Sequence, residues 1–196
     1  MNGAARTTAR EVARDAVRAM LAEVALDLFR RDGFDNVTIN HLAAAAGVSR
    51  STVLRYFGTK EDVVLGALDA HGEQVAVALR ARPPDENDWT ALRHALDIVV
   101  EIYRQDPAAA LATTRLVLAT PALHTRQWEK QHSWRPALTQ ALAERGASPR
   151  PGAVTLSVRA AAALDCLNIA IAHWAKSDGT LNLADLLDEA FAALTL

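Results

Sequence analysis

Apolar residues recur at steps of three and four along nearly the whole chain, and sustained two-residue alternation is absent. That pattern predicts an all-α protein of about nine helices. The densest signal is Thr38–Lys60, TINHLAAAAGVSRSTVLRYFGTK. Ile39, Leu42 and Ala43 share one face of a first short helix, and Val53, Leu54 and Phe57 one face of a second. Gly47 between them can take the positive φ that ends one helix, and Ser49 is placed to cap the next. This is a helix-turn-helix outline. The polar positions of the second helix, Arg50, Ser51, Thr52, Arg55 and Tyr56, are donors or stackers suited to base edges and phosphates in a major groove. Thr59-Lys60-Glu61-Asp62 then reads as a capping box opening a further helix, with the Lys60 ammonium directed toward a phosphate.

Beyond Lys60 the helical pattern continues. Glu61 to about Arg80 carries Val64, Leu68, Val75 and Leu79 on one stripe, and Arg82-Pro83-Pro84-Asp85 breaks the chain. Asp88 is the expected cap of a helix bearing Trp89, Leu92, Leu96, Val99 and Tyr103, which ends at Asp106-Pro107. A helix follows over about 108–119. Thr120-Pro121 opens another, running to Arg145-Gly146, in which Pro136 makes either a kink or a division. After Pro149-Arg150-Pro151 a long alanine-rich helix runs to about Ser177. The last helix places Leu183, Leu186, Leu187, Ala190, Phe191 and Leu194 on one face. Both final helices are apolar over wide arcs, which either closes the core or invites a partner.

A chain of 196 residues with 51% hydrophobic content can bury a sizeable core. No apolar run reaches the roughly 18 residues of a membrane helix. Arg6, Arg10, Arg14 and Arg18 punctuate an N-terminus without the apolar core of a signal peptide. The expectation is a cytoplasmic protein that does not enter a membrane. The single cysteine, Cys166, excludes an internal disulfide and a cysteine-based zinc knot, and its apolar neighbourhood favours a buried thiol. The net charge of −2 is unevenly spread: residues 1–60 hold nine Lys or Arg against six Asp or Glu. A basic head on an acidic body meets phosphates with one end only. The N-terminal arginines suit a flexible arm or the exposed stripe of an extended first helix.

The run from Val17 through Phe29, Gly33, Phe34, Thr38, Leu42, Ala43, Ala46-Gly47-Val48-Ser49 and Tyr56-Phe57-x-x-Lys60-Glu61 resembles the DNA-binding domain of the TetR family of transcriptional regulators. The resemblance implies an N-terminal helix-turn-helix domain over 1–60 and a C-terminal ligand-binding and dimerisation domain over 61–196. It also implies a homodimer through the last two helices, bound to double-stranded operator DNA and released by a small molecule. By position, Arg50, Ser51, Thr52 and Arg55 become base readers. Asn40 reaches a base or phosphate, and Thr38, Tyr56 and Lys60 anchor the DNA backbone, with Ser49 at the start of the recognition helix. Leu54 stands where the family very often has tyrosine, so an operator preference does not transfer.

Residues 85–196, including Arg115–Leu123, Trp134–Leu138, Trp174 and Leu183–Phe191, resemble the ligand domain of mycofactocin-system-type regulators, described as binding acyl-CoA-like molecules. An acyl chain requires an apolar tunnel, for which Tyr103, Leu111, Leu118, Trp128, Trp134, Leu138 and Leu167 are candidate walls. Its phosphorylated head requires cations, for which Arg115, Arg126, Lys130 and Arg135 are candidates. Core or solvated surface is the alternative reading of each. Neither a metal nor a cofactor is expected. His41, His71, His94, His124, His132 and His173 form no His-Glu-x-x-His, and Gly47-Val48-Ser49-Arg50-Ser51 lacks the second glycine of a nucleophile elbow, which argues against an enzyme. The alternatives are a helical ligand carrier or scaffold without DNA binding, or a regulator acting as an activator.

Overall fold

The computed structural model describes residues 9–145 and 151–194, which hold twelve α-helices and, among the described residues, no strand. They form two compact units that divide between Gly66 and Ala67.

The first unit contains α1 (Ala9–Asp32), α2 (Ile39–Ala45), α3 (Arg50–Phe57) and α4 (Lys60–Leu65). Helix α1 buries Leu21, Ala25, Leu28 and Phe29 at helical spacing, and Gly33, at φ +81°, ends it with its N–H donating to the Phe29 carbonyl at 3.0 Å. The Phe29 and Phe34 rings meet at 4.8 Å, and Val37, Leu42, Val53, Phe57, Val63 and Leu65 complete the core. The sequence placed the boundary after Lys60, but α4 packs on α1 and α3 through buried Val63 and Leu65, so the unit extends to Gly66. Arg10, Arg14 and Arg18 lie on α1, which makes them part of a helix; Arg6 lies outside the described residues.

The second unit contains α5 (Leu68–Arg80), α6 (Asp88–Ala95), α7 (Asp97–Gln105), α8 (Pro107–Ala119), α9 (Pro121–His132), α10 (Arg135–Glu144), α11 (Ala153–Lys176) and α12 (Leu183–Ala192). The nine helices read from the sequence become twelve segments because three of them divide. One breaks at Gly66-Ala67, one at Leu96, and one between His132 and Arg135, where Pro136 occupies the first turn of α10. Gly146 and Pro149-Arg150 lie outside the described residues. A single core joins Val75 and Leu79 of α5, Leu92 of α6, Trp134 and Leu138 of α10, Leu164 and Leu167 of α11, and Leu187 and Phe191 of α12.

Two sequence expectations change here. Asn87, not Asp88, caps α6, its side chain accepting from the Thr90 N–H at 2.9 Å; Asp88 is buried and pairs with Arg159. The capping position is displaced by one because the carboxylate is drawn into the interior by opposite charge. Second, α11 is by length and composition long and apolar enough to cross a membrane, contrary to the reading that no run sufficed. Its apolar content instead forms core, with Leu156, Ala160, Leu164, Leu167, Ile171 and Trp174 all buried. Cys166 on the same helix is buried as expected, and burial pushes its thiol pKa up.

Arg145, at the end of α10, fixes the Pro-rich turn between α5 and α6. Its guanidinium donates to the carbonyls of Leu79 (3.3 Å), Arg82 (3.1 Å), Pro83 (2.9 Å) and Glu86 (2.8 Å). Such charge-assisted bonds satisfy carbonyls that have no helical partner. The Glu86 side chain accepts from Arg82 at 2.7 and 2.8 Å and lies 2.9 Å from His94 Nδ1.

Those bonds, Arg82 foremost, hold the Glu86 carboxyl down to about 2 from its ordinary 4.5. The folded pKa is depressed, so this clamp's stabilisation is complete above pH 4.5 and is lost as pH falls toward 2. Thermal melts across that window should show an acid limb that Glu86→Gln flattens. A second prediction concerns Gly72, where a Cβ would stand 2.6 Å from Cγ of the buried Trp134 ring. Gly72→Ala gains about 0.5–1 kcal/mol of helix propensity, but overpacking against a ring that cannot yield costs about 1–3 kcal/mol. A net loss of stability is expected by denaturant titration.

Candidate nucleic-acid interface

Helix α2 starts at Thr38, whose Oγ1 accepts from the His41 N–H at 3.2 Å while the Thr38 N–H donates to His41 Nδ1 at 3.3 Å. This is a capping box with histidine in place of glutamate. Gly47 at φ +65° turns the chain, and the Val48 N–H donates back to the Ala43 carbonyl at 2.9 Å. Ser49 then caps α3, its Oγ accepting from the Thr52 N–H at 3.1 Å. Val53 and Phe57 bury one side of α3. Leu54 is half-buried, and the opposite side leaves Arg50, Ser51 and Arg55 exposed. Thr59 caps α4 by accepting from the Asp62 N–H at 3.1 Å.

Three hydroxyls on this surface are linked: Ser49 Oγ lies 2.8 Å from Ser51 Oγ and 2.9 Å from Thr52 Oγ1. Arg50 and Arg55 form no ion pair among the described residues. The Arg55 guanidinium sits 5.5 Å from the Tyr56 ring centroid, which holds both side chains on one side of α3. Asn40 and Thr38 are exposed at the start of α2.

A cleft of about 680 Å³ separates the α1 stretch bearing Arg10, Ala13, Arg14 and Val17 from Arg55 and Tyr56 of α3. Among the described residues, three arginines and no acid line it. Arg10 and Arg14 thus join the candidate DNA-binding set; their i, i+4 spacing was visible in sequence, but their convergence on α3 was not. Arg18 is placed differently, its guanidinium 5.3 Å from the Phe57 ring centroid as part of the packing of α1 on α3.

Lys60, the expected phosphate anchor, has partners within the unit. Its Nζ donates to the Phe34 carbonyl at 2.7 Å and lies 4.1 Å from the Phe34 ring centroid. The loop carbonyl after α1 and the face of Phe34 offer the ammonium a closer partner than solvent does, so its main task is to hold the loop to α4.

In the second unit the candidate ligand residues separate into groups. Trp134, Leu138 and Leu167 are wholly within the core rather than at a cavity wall, because α10 and α11 face each other there. Tyr103 packs edge-on to Trp174 at 5.2 Å with its hydroxyl 3.3 Å from Thr114 Oγ1, and Leu111 borders the same core. Leu118 and Trp128 do line a groove of about 390 Å³ between α8, α9 and α11. The proposed head-group cations are engaged elsewhere: Arg115 pairs with Asp178, Arg126 with Glu129, and buried Lys130 with both oxygens of Asp69 at 2.8 Å. Arg135 keeps a buried Nε without a hydrogen-bond partner. The groove also takes in His124, Gln127 and Gln131, which the sequence reading missed although their three- and four-residue spacing beside Trp128 marks one face of α9.

Comparison with known proteins gives this geometry its family. Residues 21–67 match the description "Bacterial regulatory proteins, tetR family", and residues 86–196 match the MftR C-terminal domain. The transcriptional regulator TcmR of Streptomyces glaucescens is 31% identical over 134 residues, which span 65% of this chain and 59% of TcmR. The transcriptional regulator EthR of Mycolicibacterium smegmatis is 30% identical over 151 residues, spanning 74% of this chain and 68% of EthR. The fold is similar to that of the transcriptional regulator FadR from Bacillus subtilis, solved in complex with stearoyl-CoA, at a TM-score of 0.61 and 16% identity, over 90% of this chain and 96% of that one. With a capped helix-turn-helix in the first unit and a C-terminal match that alone takes in more than half of its residues, the chain belongs to the TetR family of transcriptional regulators.

Proposed function

We propose that this regulator is a repressor that binds a palindromic operator as a homodimer through α11 and α12 and leaves it when a small, largely apolar effector binds the second unit. The observation that carries the reading is the exposed polar side of α3 next to the arginine-lined cleft. Arg50, Ser51, Thr52 and Arg55 read base edges. Arg10, Arg14, Tyr56, Thr38 and Asn40 fix register on phosphates. A domain over 1–66 reads DNA, and the remainder binds effector and partner.

Support for the dimer comes from the outer side of α11, where Val154 is 79% and Val158 59% exposed. Large apolar side chains exposed along one helix mark an association surface. A two-fold axis there would set two recognition helices about one or more DNA turns apart, one turn being roughly 34–36 Å. Effector binding would release DNA by favouring another separation. The stearoyl-CoA held by the structural neighbour makes a long-chain acyl-CoA the first effector to test.

Fluorescence anisotropy with DNA from immediately upstream of the gene tests the division of labour. Arg50→Ala or Arg55→Ala should lose about 1–3 kcal/mol and relax preference at one base pair. Arg14→Ala should weaken all sequences alike and reduce the salt slope by about 1. Equal effects on specificity in all three would contradict the assignment, and binding without salt dependence would exclude the phosphate contacts. In sedimentation the wild type should run at about twice 21.1 kDa and Val158→Asp near 21.1 kDa; a monomeric wild type would overturn the dimer.

A further inference from the structure

The groove between α8, α9 and α11 lies within the second unit, and its chemistry is unlike that of the core beside it. Gln131 is only 5% exposed as a residue, and its side chain lines the groove with its amide open to it rather than sealed in the core. An amide held at a groove wall is satisfied from the groove, by water or by a ligand that offers a donor or an acceptor. Gln127, one turn earlier on α9, and Asn168 on α11 line the same groove, half-buried. Trp128 projects into it 53% exposed, with His132 at 5.0 Å as its aromatic neighbour.

Charge decides which ligand suits these groups. Among the described residues neither a lysine nor an arginine lines the groove, and its fixed charge is the Asp165 carboxylate. A phosphorylated head group would meet a negative charge and no guanidinium. Amides, by contrast, both donate and accept, so they match hydroxyl and carbonyl groups. A large exposed indole offers a face to a flat ring. A volume of about 390 Å³ falls at the lower end of small-molecule pockets.

We infer that this groove is the effector site and that it selects an uncharged, planar aromatic molecule carrying hydroxyl or carbonyl groups, stacked on Trp128 and hydrogen-bonded by Gln131, with Gln127 and Asn168 alongside. The inference rests on the reading of the chain as effector-responsive, and it chooses among the apolar effectors admitted there.

The test is isothermal titration calorimetry of the full chain with naringenin, a largely uncharged polyphenol, and separately with stearoyl-CoA. Wild type should bind naringenin, and Gln131→Leu and Trp128→Ala should each weaken it by about tenfold or more, the worth of one ligand hydrogen bond or stacked ring. Gln131→Leu removes an amide that lines the groove and keeps the volume, so its ligand-free melting temperature should not fall. That separates lost recognition from lost folding. Unchanged naringenin affinity in both variants would overturn the assignment. So would binding of stearoyl-CoA, but not naringenin, accompanied by release of DNA, and in that case the regulator reading survives. Naringenin binding that both variants weaken, without any effect on DNA affinity, upholds the groove chemistry and removes the effector role.

Discussion

Short helices must have their ends satisfied, and the DNA-binding unit is organised around that requirement. Helices α2, α3 and α4 have seven, eight and six residues, whereas isolated helices shorter than about 12–15 residues are marginal in water. Each begins at a hydroxyl that accepts from a backbone N–H of its first turn: Thr38, Ser49 and Thr59. The caps fix where each helix starts, and therefore which side chains of α3 face inward with Val53 and Phe57 and which face outward with Arg50 and Arg55. Residues near these caps serve two ends. Ser51 and Thr52 bond to the Ser49 hydroxyl and also stand on the polar side of α3, so the network that closes the helix orients the groups on that surface.

The second unit solves a different problem, that of building a core from helices rich in alanine. Alanine allows close approach, and α11 uses it with Ala160, Ala163 and Ala170 buried among larger residues of α10 and α12. The polar exceptions in this interior are paired. Arg145 gathers the carbonyls of the α5–α6 turn, Asp88 is met by Arg159, and Lys130 by Asp69. Breaking one partner of such a pair leaves a buried charge, which is far more damaging than losing an exposed one. The Gln131 amide differs from these pairs in that it lines the groove between α8, α9 and α11.

Electrostatics also divides the chain by role. In the second unit Arg82, Arg93, Arg115 and Arg126 each have a carboxylate partner. On the recognition helix, Arg50 and Arg55 have none among the described residues. A guanidinium left unpaired at a convex, hydroxyl-rich surface retains its charge for an external anion, and a modest basic excess in 60 residues is then enough to direct the protein toward phosphates despite a net charge of −2.

The helix-turn-helix was legible in the sequence because its determinants are local. Gly47, the Ser49 and Thr59 caps, and the apolar spacing of Leu42, Ala43, Val53 and Phe57 act over one or two turns, and period and capping chemistry are written in adjacent residues. Asp88 was misplaced, and the packing of Lys60 was not legible, for the opposite reason: their partners, Arg159 and Phe34, lie 71 and 26 residues away, and nothing nearby in the chain announces them. The ligand candidates divided in the same way, since apolar periodicity marks Trp134, Leu138, Leu167 and Trp128 alike as inward-facing, whereas only the packing of α8, α9 and α11 distinguishes core from groove. The sequence by itself determined the helical class, the turn that builds the recognition helix, and the charge of the head. Tertiary structure decided which cations stay without a carboxylate partner and which amides line a groove, because pairing depends on distances between helices that no local pattern encodes.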